Sequence, residues 1–327
     1  MKTLSICIPS INRKKYLLEG LRSILDDSRC LERLEICISN NASDEDYTDV
    51  EDYLANYPMV KYLRQSHRIS LDENMHACVK AATGEYVYYL GDDDFFFPSG
   101  VDKLLDIIDR EEPDLVVLNG INVDAQGIPL SRCFSTRPIV IRDISEAFSY
   151  FNEKCAYGAL LVKRRYLPQE LYKKFYGTSH AYTCFWGALV KRWEADPNFG
   201  FKALTPKDAI VAIRRAKKTY SSYVLDVHFD HMPRWYITFL SCIAEGDFKQ
   251  RIRDVVEERL KLGGTLMFLA RLKLDGQDVR RVKTYSGRWR SIGVDVKLAL
   301  VIATPVAILR AFNSLKRKIS RRQEVRL

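Results

Sequence analysis

Several hallmarks of common protein classes are missing from this sequence. Its eight cysteines form no C-x-x-C pair and no dense cluster, so we expect core thiols in a reducing compartment rather than disulfides or zinc ligands. The first predicted strand is not followed by a glycine fingerprint, which disfavours a dinucleotide grip of the Rossmann type. No apolar run reaches the ~20 residues that span a bilayer, and no signal peptide precedes the first strand. Together these absences predict a cytoplasmic protein.

The composition of the 327 residues is that of a globular protein, with 47% hydrophobic and 28% charged residues. Its length suits one large domain with an extension. The net charge of +9 is unevenly placed, because residues 280–327 carry 13 Lys and Arg against Asp295 and Glu324 and so contribute +11, which leaves −2 for residues 1–279. The basic end predicts contact with an anionic surface, phospholipid or nucleic acid, and the alternative is a solvated end.

Strand and helix patterns alternate through the first 120 residues. Continuous apolar runs predict buried strands at residues 4–9, 34–39, 60–63, 85–90 and 113–119. Patterns at helical spacing predict helices between them, at residues 17–25, 44–57, 71–82 and 101–108. This alternation predicts an α/β fold with a mainly parallel sheet and helices on both faces, in which ligands bind beyond the carboxyl ends of the strands.

The pattern loosens beyond residue 120. We predict a hairpin over 120–142 that turns at 124–127, and then a helix, a strand and a helix at 143–151, 158–163 and 182–191. After about residue 230 the chain becomes helical, with segments at 235–244, 248–262 and 266–272. The predicted organisation is therefore a catalytic domain over 1–225, with a nucleotide-binding half (1–118) and an acceptor half (119–225), followed by a helical region over 226–327.

Three consecutive carboxylates, those of Asp92, Asp93 and Asp94, follow the apolar strand at 85–90. Side by side they repel one another, and a cation among them would offset that repulsion. Carboxylates with open positions suit Mg²⁺ or Mn²⁺, which keep waters and bind substrate phosphates. The alternative is a cap for the helix that Pro98 opens, although a cap needs only one Asp. The pattern favours a site for a metal and a diphosphate.

Polar loops also follow the first and second strands. Residues 9–13 read Pro-Ser-Ile-Asn-Arg, and the backbone of this loop and Asn12 are suited to hold a base or a ribose. Residues 40–44 read Asn-Asn-Ala-Ser-Asp, whose amides offer the donor and acceptor that match a pyrimidine edge. Helix capping by Asn12, Ser43 or Asp44 is the alternative. Because these loops and the acidic run leave the carboxyl ends of strands, we expect them to face one crevice.

In order and spacing these segments resemble a known family. The matching segments are Ile-Pro-Ser-Ile-Asn-Arg at 8–13, Ser-Asn-Asn-Ala-Ser-Asp at 39–44, Asn74, Gly-Glu-Tyr-Val at 84–87, Gly-Asp-Asp-Asp at 91–94 and Pro98. Through them the chain resembles a family 2 glycosyltransferase. The resemblance is greatest to the bacterial abequosyltransferase-like members that build surface polysaccharides. The resemblance is specific over about residues 3–118 and looser to about 220. It implies the GT-A fold, a nucleotide-sugar donor (a UDP-sugar first of all), and a glycan or lipid-linked saccharide acceptor.

The resemblance also implies roles for loop residues. The first loop would place four residues at the nucleotide, namely Pro9, Ile11, Asn12 and Arg13. In the second loop Asn41 stands where relatives usually carry an Asp that bonds the base, and this exchange adds a hydrogen-bond donor. Residues 68–74 match the relatives' Asn-x-Gly-Ile-Asp-x-Asn at Asp72 and Asn74, which assigns Asp72 to nucleotide binding.

For the acidic run, which corresponds to the family's DXD motif, the resemblance implies a divalent metal. Counted back from Pro98, Asp93 matches the metal ligand and Asp92 lies beside it at the ribose or diphosphate. Asp94 is the alternative ligand to Mn²⁺ or Mg²⁺. Relatives carry a Glu-Asp pair or a lone Asp about ninety residues further on, where it deprotonates the acceptor in a single inverting displacement.

This chain has Thr-Ser-His-Ala at 178–181 in place of that pair. A histidine at the start of a helix has its pKa lowered by the helix dipole, which suits a general base. We therefore expect His180 to be the base, with capping or packing as the alternative role.

The end of the chain agrees with a membrane-bound acceptor. Residues 298–309 are apolar but far shorter than a span, and a cluster of five cations follows at Lys316, Arg317, Lys318, Arg321 and Arg322. This predicts an interfacial helix that holds the enzyme on the anionic inner leaflet, and the alternative is a helix packed on the catalytic domain.

Two rival functions fit parts of the sequence. A sugar-phosphate nucleotidyltransferase is also α/β with carboxylates and a metal, but it needs a glycine-rich loop where residues 10–13 read Ser-Ile-Asn-Arg. A nucleic-acid-binding protein would need a basic stripe on its folded body, whereas residues 1–279 are slightly acidic. We therefore expect a metal-dependent, inverting glycosyltransferase that binds no nucleic acid.

Overall fold

The computed structural model describes residues 3–131, 133–215, 224–263, 266–284, 300–301 and 303–310. Its strands are β1 (Leu4–Ser10), β2 (Leu34–Asn40), β3 (Val60–Arg64), β4 (Tyr86–Tyr89), β5 (Phe95–Phe96), β6 (Leu115–Val117), β7 (Gly120–Val123), β8 (Ile139–Ile141), β9 (Leu160–Lys163), β10 (Ala203–Thr205) and β11 (Val211–Arg214). The predicted α/β architecture is confirmed.

Helices lie in several of the connections between these strands and follow the last strand. They are α1 (Lys14–Leu25), α2 (Thr48–Leu54), α3 (Leu71–Ala81), α4 (Gly100–Glu111), α5 (Ile144–Phe151), α6 (Gln169–Lys174), α7 (Phe185–Ala195), α8 (Val224–Asp226), α9 (Met232–Ser241), α10 (Asp247–Gly263) and α11 (Leu266–Leu274). Between α8 and α9, Val227–His231 forms a π-helical turn.

A sheet of eight strands, in the order β3-β2-β1-β4-β9-β6-β10-β8, forms the centre of the molecule. Strands β1 to β4 run parallel, and β9 enters antiparallel to both β4 and β6. Strands β1 and β2 are buried along nearly their whole length, which explains their continuous apolar sequences. A smaller sheet of order β5-β11-β7 adjoins it.

Apolar side chains pack on both faces of the large sheet. One core unites the sheet with α1, α2 and α4 through residues such as Leu21, Val50 and Leu104. The opposite core unites it with α3, α5, α7 and α9 through residues such as Phe148 and Trp186. All eight cysteines are free thiols, and six of them are buried, as the sequence predicted.

The second core crosses the predicted boundary at residue 225. Trp235 and Phe239 of α9 pack among the side chains of α5 and α7, and Ile252 of α10 belongs to the same cluster. A third, smaller cluster joins Leu225 and Leu269 with Val301. The division into domains stays a prediction, but these contacts bind α9 and α10 to the core of the sheet.

Some elements differ from the sequence-based expectation. The chain does turn at residues 124–127, where the Asp124 N–H donates to the Ile128 carbonyl at 2.9 Å. The returning segment pairs antiparallel with β7, as the predicted hairpin requires, because Val123 bridges Pro129 and the Leu130 N–H donates to the Asn122 carbonyl at 2.7 Å. The end of the predicted hairpin differs, since β8 pairs with β10. Strands β10 and β11 and helix α6 were not predicted, because each is too short for its periodicity to register.

Candidate active site

The carboxyl ends of β1, β2 and β4 lie side by side at one edge of the large sheet. Ser10 at the end of β1 is in register with Asn40 at the end of β2, and the Asn41 N–H donates to the Ser10 carbonyl at 2.8 Å. On the other side of β1, the Leu90 N–H donates to the Cys7 carbonyl at 3.1 Å. Three strand ends therefore bring their polar loops together at this edge, which is where the sequence predicts a crevice.

Asn12 ties the first loop to the second. Its side-chain N–H donates to the Asp44 carboxylate at 3.0 Å, and its Oδ1 accepts the Asp44 backbone N–H at 2.8 Å. The Asn12 backbone N–H donates to the Ser43 hydroxyl at 2.9 Å. Asn12 and Ala42 both adopt positive φ, 52° and 49°. Non-glycine residues hold this conformation only where surrounding contacts enforce it, as at binding sites.

The first loop also reaches the acidic motif. The Ile11 N–H donates to Asp92 Oδ2 at 3.2 Å, and Arg13 forms an ion pair with Asp93 at 2.5 Å. Pro9, the remaining residue assigned to the nucleotide, lies half-buried within β1. These contacts place the predicted nucleotide loop directly against the predicted metal site.

The three adjacent aspartates have different surroundings. Asp92 and Asp93 are partly exposed, whereas Asp94 is buried and its Oδ1 accepts the Arg214 backbone N–H at 2.8 Å. A Cβ at Gly91 or at Gly158 would lie 2.7 and 2.3 Å from Asp94 Oδ2, so both glycines make room for this carboxylate. Asp92 and Asp93 are thus the pair that a ligand can reach from the crevice.

Arg214 holds the acidic motif in place and was missed by the sequence analysis. Its buried guanidinium donates to the Asp93 carbonyl at 2.9 Å, to the Ala125 carbonyl at 2.7 Å and to Glu19 at 2.6 Å. It also lies over the Tyr16 ring, 4.7 Å from the centroid. The only signal in the sequence was an arginine at the end of an apolar run, a pattern that surface strands share.

Asn41 supports a third loop. Its amide donates to the Ile69 carbonyl at 2.9 Å, and its Oδ1 accepts the Ile69 N–H at 2.8 Å. Next to this pair Arg68 forms an ion pair with Asp44. Two side chains of the second loop, those of Asn41 and Asp44, therefore hold the neighbouring loop at residues 68 and 69.

His180 has the tautomer that a general base requires. Its Nδ1 lies 3.0 Å from the Thr178 carbonyl, which can only accept, so Nδ1 carries the proton and the lone pair of the neutral ring is on Nε2. Burial lowers the pKa of His180 and the nearby His231 lowers it further, against the opposing effects of Thr178 and Asp72. The ring is therefore mostly neutral at pH 7 and above.

Two tyrosines connect His180 with the acidic motif. The Tyr182 ring lies 6.0 Å from the His180 ring and 4.3 Å from the Tyr157 ring. Tyr157 adjoins Gly158, which packs against Asp94. The sequence analysis did not single out these tyrosines, because aromatic residues are equally common in cores. These contacts link the loop of His180 to Gly158 beside Asp94.

Asp72 is not at the rim of the crevice. It is 2% exposed, and its carboxylate accepts three backbone N–H groups from residues 178–181. Asn74, two residues further along α3, accepts the Ser39 hydroxyl at 2.7 Å and so joins α3 to β2. The structure gives Asp72 protein partners in the loop that carries His180.

The surroundings of Asp92 and Asp93 suit a divalent cation. Burial and, after it, the adjacent Asp93 charge raise the pKa of Asp92 to about 7, against the opposing effects of Arg13 and Ile11, so the protein compensates the charged form of Asp92 only in part. No group of three or more His, Cys, Asp or Glu side chains arranged for a metal occurs in the described part of the chain. Two carboxylates completed by phosphate oxygens and water are a common arrangement for Mg²⁺. The pair therefore fits a metal that binds together with a diphosphate.

Comparison with known proteins identifies relatives of this site. A family model described as glycosyl transferase family 2 matches residues 5–187, more than half of the chain. Abequosyltransferase RfbV of Salmonella typhimurium is 31% identical over 208 residues, which are 54% of this chain and 58% of RfbV. Chondroitin synthase of Escherichia coli is 29% identical over 142 residues, 42% of this chain and 20% of that protein. The chain thus covers less than two thirds of either relative.

The fold as a whole resembles a solved structure. The crystal structure of S. aureus TarS 1-349 in complex with UDP-GlcNAc superposes with a TM-score of 0.60, covering 97% of this chain and 92% of that TarS fragment at 15% identity. At this identity the likeness concerns the fold alone, and it confirms the predicted GT-A architecture.

Proposed function

The chain belongs to glycosyl transferase family 2, and from this premise we propose that it transfers a sugar from a nucleotide-sugar to an acceptor hydroxyl in bacterial surface polysaccharide synthesis. The observation that carries the proposal is the meeting of the loops after β1 and β2 with Asp92 and Asp93 at one sheet edge. The UDP-GlcNAc bound to TarS supports a nucleotide-sugar donor, with a UDP-sugar first. The name of chondroitin synthase supports a glycan acceptor, and we include a lipid-linked saccharide in the proposal.

The donor occupies the crevice with its base and ribose between the first and second loops. Its diphosphate would lie toward Arg13 and the acidic motif, where Asp93 and a neighbouring aspartate would hold Mn²⁺ or Mg²⁺. Such a metal would neutralise charge on the leaving diphosphate. Arg13 lies beside Asp93, where its guanidinium is placed to donate to a phosphate oxygen.

His180 acts as the general base. Its Nε2 takes the proton of the acceptor hydroxyl while the hydroxyl oxygen attacks the anomeric carbon. The bond between that carbon and the diphosphate oxygen breaks in the same displacement, so the nucleoside diphosphate leaves with the electron pair and the configuration inverts. The lowered pKa of His180 keeps Nε2 ready to accept the proton near neutral pH.

Donor hydrolysis and transfer test this proposal. We expect purified full-length protein to release UDP from a UDP-sugar with Mn²⁺ or Mg²⁺ and to stop in EDTA. Asp93→Asn should lower kcat by at least ~10²-fold, because the charge of the leaving group is no longer compensated. The measurement is UDP release, with anomeric configuration of the product read by NMR.

Asp109→Asn is the matched control. It removes the same charge and likewise leaves an arginine without its partner, since Asp109 pairs with Arg33 at 2.6 Å, but it lies on α4. Unchanged turnover in this variant, with loss in Asp93→Asn, supports the assignment. Full activity in EDTA or in Asp93→Asn contradicts the metal role, and a product of retained configuration contradicts the single displacement.

A further inference from the structure

The buried carboxylate of Asp72 is shared by three backbone N–H groups of one distant loop. Its Oδ2 accepts the N–H groups of Thr178 and Ser179, each at 3.0 Å, and its Oδ1 accepts that of Ala181 at 3.0 Å. Residue 72 and this loop are more than a hundred residues apart in the chain. A charged acceptor makes such hydrogen bonds about twice as strong as neutral ones, so one side chain fixes the path of four consecutive residues.

The loop 178–181 needs such support. Ser179 has a φ of 59°, a conformation that serine adopts at a cost of about 1 kcal/mol or more. The His180 ring is then set by its bond to the Thr178 carbonyl. Since Thr178, Ser179 and Ala181 are all held by Asp72, the orientation of the His180 ring follows from the position of that carboxylate.

The other side of the loop faces the π-helical turn before α9. The Ser179 hydroxyl lies 2.9 Å from His231 Nδ1. The charged groups behind this contact are Arg234 and Asp230, which pair with each other, and Asp226, which pairs with Arg281. Asp72 is thus the negative charge that approaches His180 from α3, and His231 is the titratable group that approaches it from the opposite side.

We propose that Asp72 is a positioning residue for the acceptor-activating base, which it holds by the backbone of residues 178–181, and that it does not bind the nucleotide. This inference rests on the proposed function, in which His180 is the base. Asp72 thereby joins α3, which belongs to the predicted nucleotide-binding half, to residues 178–181, which we call the base loop.

Asp72→Asn tests the inference, because the amide keeps the shape but presents N–H donors where the loop also presents N–H donors. We expect kcat to fall ~10²-fold through misplacement of the ring, with the KM for the UDP-sugar unchanged. Removal of the Asp72 charge also lowers the pKa of His180, so the acidic limb of the kcat profile should move to lower pH. His180→Ala in the same assay shows the rate without a base.

Glu73→Gln is the matched control. Glu73 is the next residue of α3 and carries the same charge, but its carboxylate accepts the Ser70 N–H and hydroxyl in the helix cap. This variant should keep both kcat and its pH profile. A raised donor KM with normal kcat in Asp72→Asn would instead place Asp72 at the nucleotide and overturn the inference.

Amide hydrogen exchange supplies a readout that does not depend on turnover. In Asp72→Asn the amides of Thr178, Ser179 and Ala181 should exchange at least tenfold faster than in wild type, while Glu73→Gln leaves them protected. Unchanged protection in a folded Asp72→Asn protein overturns the anchoring role. If the protection changes as expected but the wild type transfers no sugar, the anchor stands and the proposed function fails.

Discussion

At the scale of single residues, Asp92 and Glu35 are carboxylates whose pKa values are shifted in opposite directions. In the crevice, Asp92 and Asp93 are crowded together and partly exposed, which leaves charge for a ligand to neutralise. At the opposite end of the strands, Glu35 is buried but receives Lys61 at 2.6 Å, Ser5 at 2.5 Å and the Thr83 hydroxyl at 2.8 Å. The first arrangement suits binding, and the second suits stability.

Glu35→Gln should therefore destabilise the protein in a pH-dependent way. Burial would raise the pKa of Glu35, but the bonds from Lys61, Ser5 and Thr83 outweigh it and lower the pKa to about 2. A depressed pKa contributes stability above the unfolded value of about 4.3, and this contribution is lost as the pH falls through 4 toward 2. The expected loss at pH 7 is roughly 3 kcal/mol.

Urea unfolding between pH 7 and pH 3 measures this difference. The gap between wild type and Glu35→Gln should narrow as the pH falls. Glu32→Gln, at an exposed neighbouring position, should change stability little at any of these pH values. A gap that stays constant with pH would mean that the buried hydrogen bonds, not the charge of Glu35, are responsible.

At the scale of elements, the packing of α9 decides whether the C-terminal helices belong to the core. Phe239 stacks on Phe148 of α5 with ring centroids 4.8 Å apart, and Trp235 lies 5.6 Å from Phe175. Phe239 is fully buried. The π-helical turn directly before α9 brings His231 to Ser179 of the base loop. The packing of α9 therefore also affects the candidate active site.

Phe239→Ala should lower the free energy of unfolding by about 3–5 kcal/mol, since it leaves a cavity between α5 and α9. Ile237→Ala on the same helix is the matched control, because Ile237 is 42% exposed and its loss should cost less than about 1 kcal/mol. Chemical denaturation with a single cooperative transition would show that α9 unfolds with the sheet. A separate early transition in Phe239→Ala would show that the helices form an independent unit.

At the scale of the whole molecule, the distribution of charge and apolar surface is relevant to contact with a membrane. No helix in the described ranges is long and apolar enough to cross a bilayer. Part of the apolar stretch 298–309 packs inward, because Val301 is buried beside Leu269 and Lys273 donates to the Val301 carbonyl at 2.8 Å. Leu300 and Ile308 are 54% and 58% exposed. The polybasic cluster beyond residue 311 lies outside the described residues.

Contact with the inner leaflet remains our proposal and rests on this cluster. Replacement of Lys316, Arg317, Lys318, Arg321 and Arg322 by Gln should abolish most co-sedimentation with anionic vesicles, at about 1 kcal/mol for each cation. Wild-type binding should weaken as salt rises and be much weaker on neutral vesicles. The variant leaves residues 300–310 unchanged, so that their packing is preserved. Equal sedimentation of the wild type and the variant would show that the cluster is not the anchor.

The sequence by itself determined the elements of the predicted nucleotide-binding half. Buried parallel strands have continuous apolar runs, and the polar loops at their carboxyl ends follow directly in the chain, so β1 to β4, the loops 9–13 and 40–44 and Asp92 to Asp94 could be found from local pattern alone. Only the tertiary structure decided which of these side chains face the crevice. In the structure Asp94 is buried and accepts a hydrogen bond from Arg214, 120 residues away, and Asp72 accepts hydrogen bonds from the base loop. Contacts between residues so far apart leave no periodicity in the sequence, because the folding of the whole chain, not local spacing, brings them together.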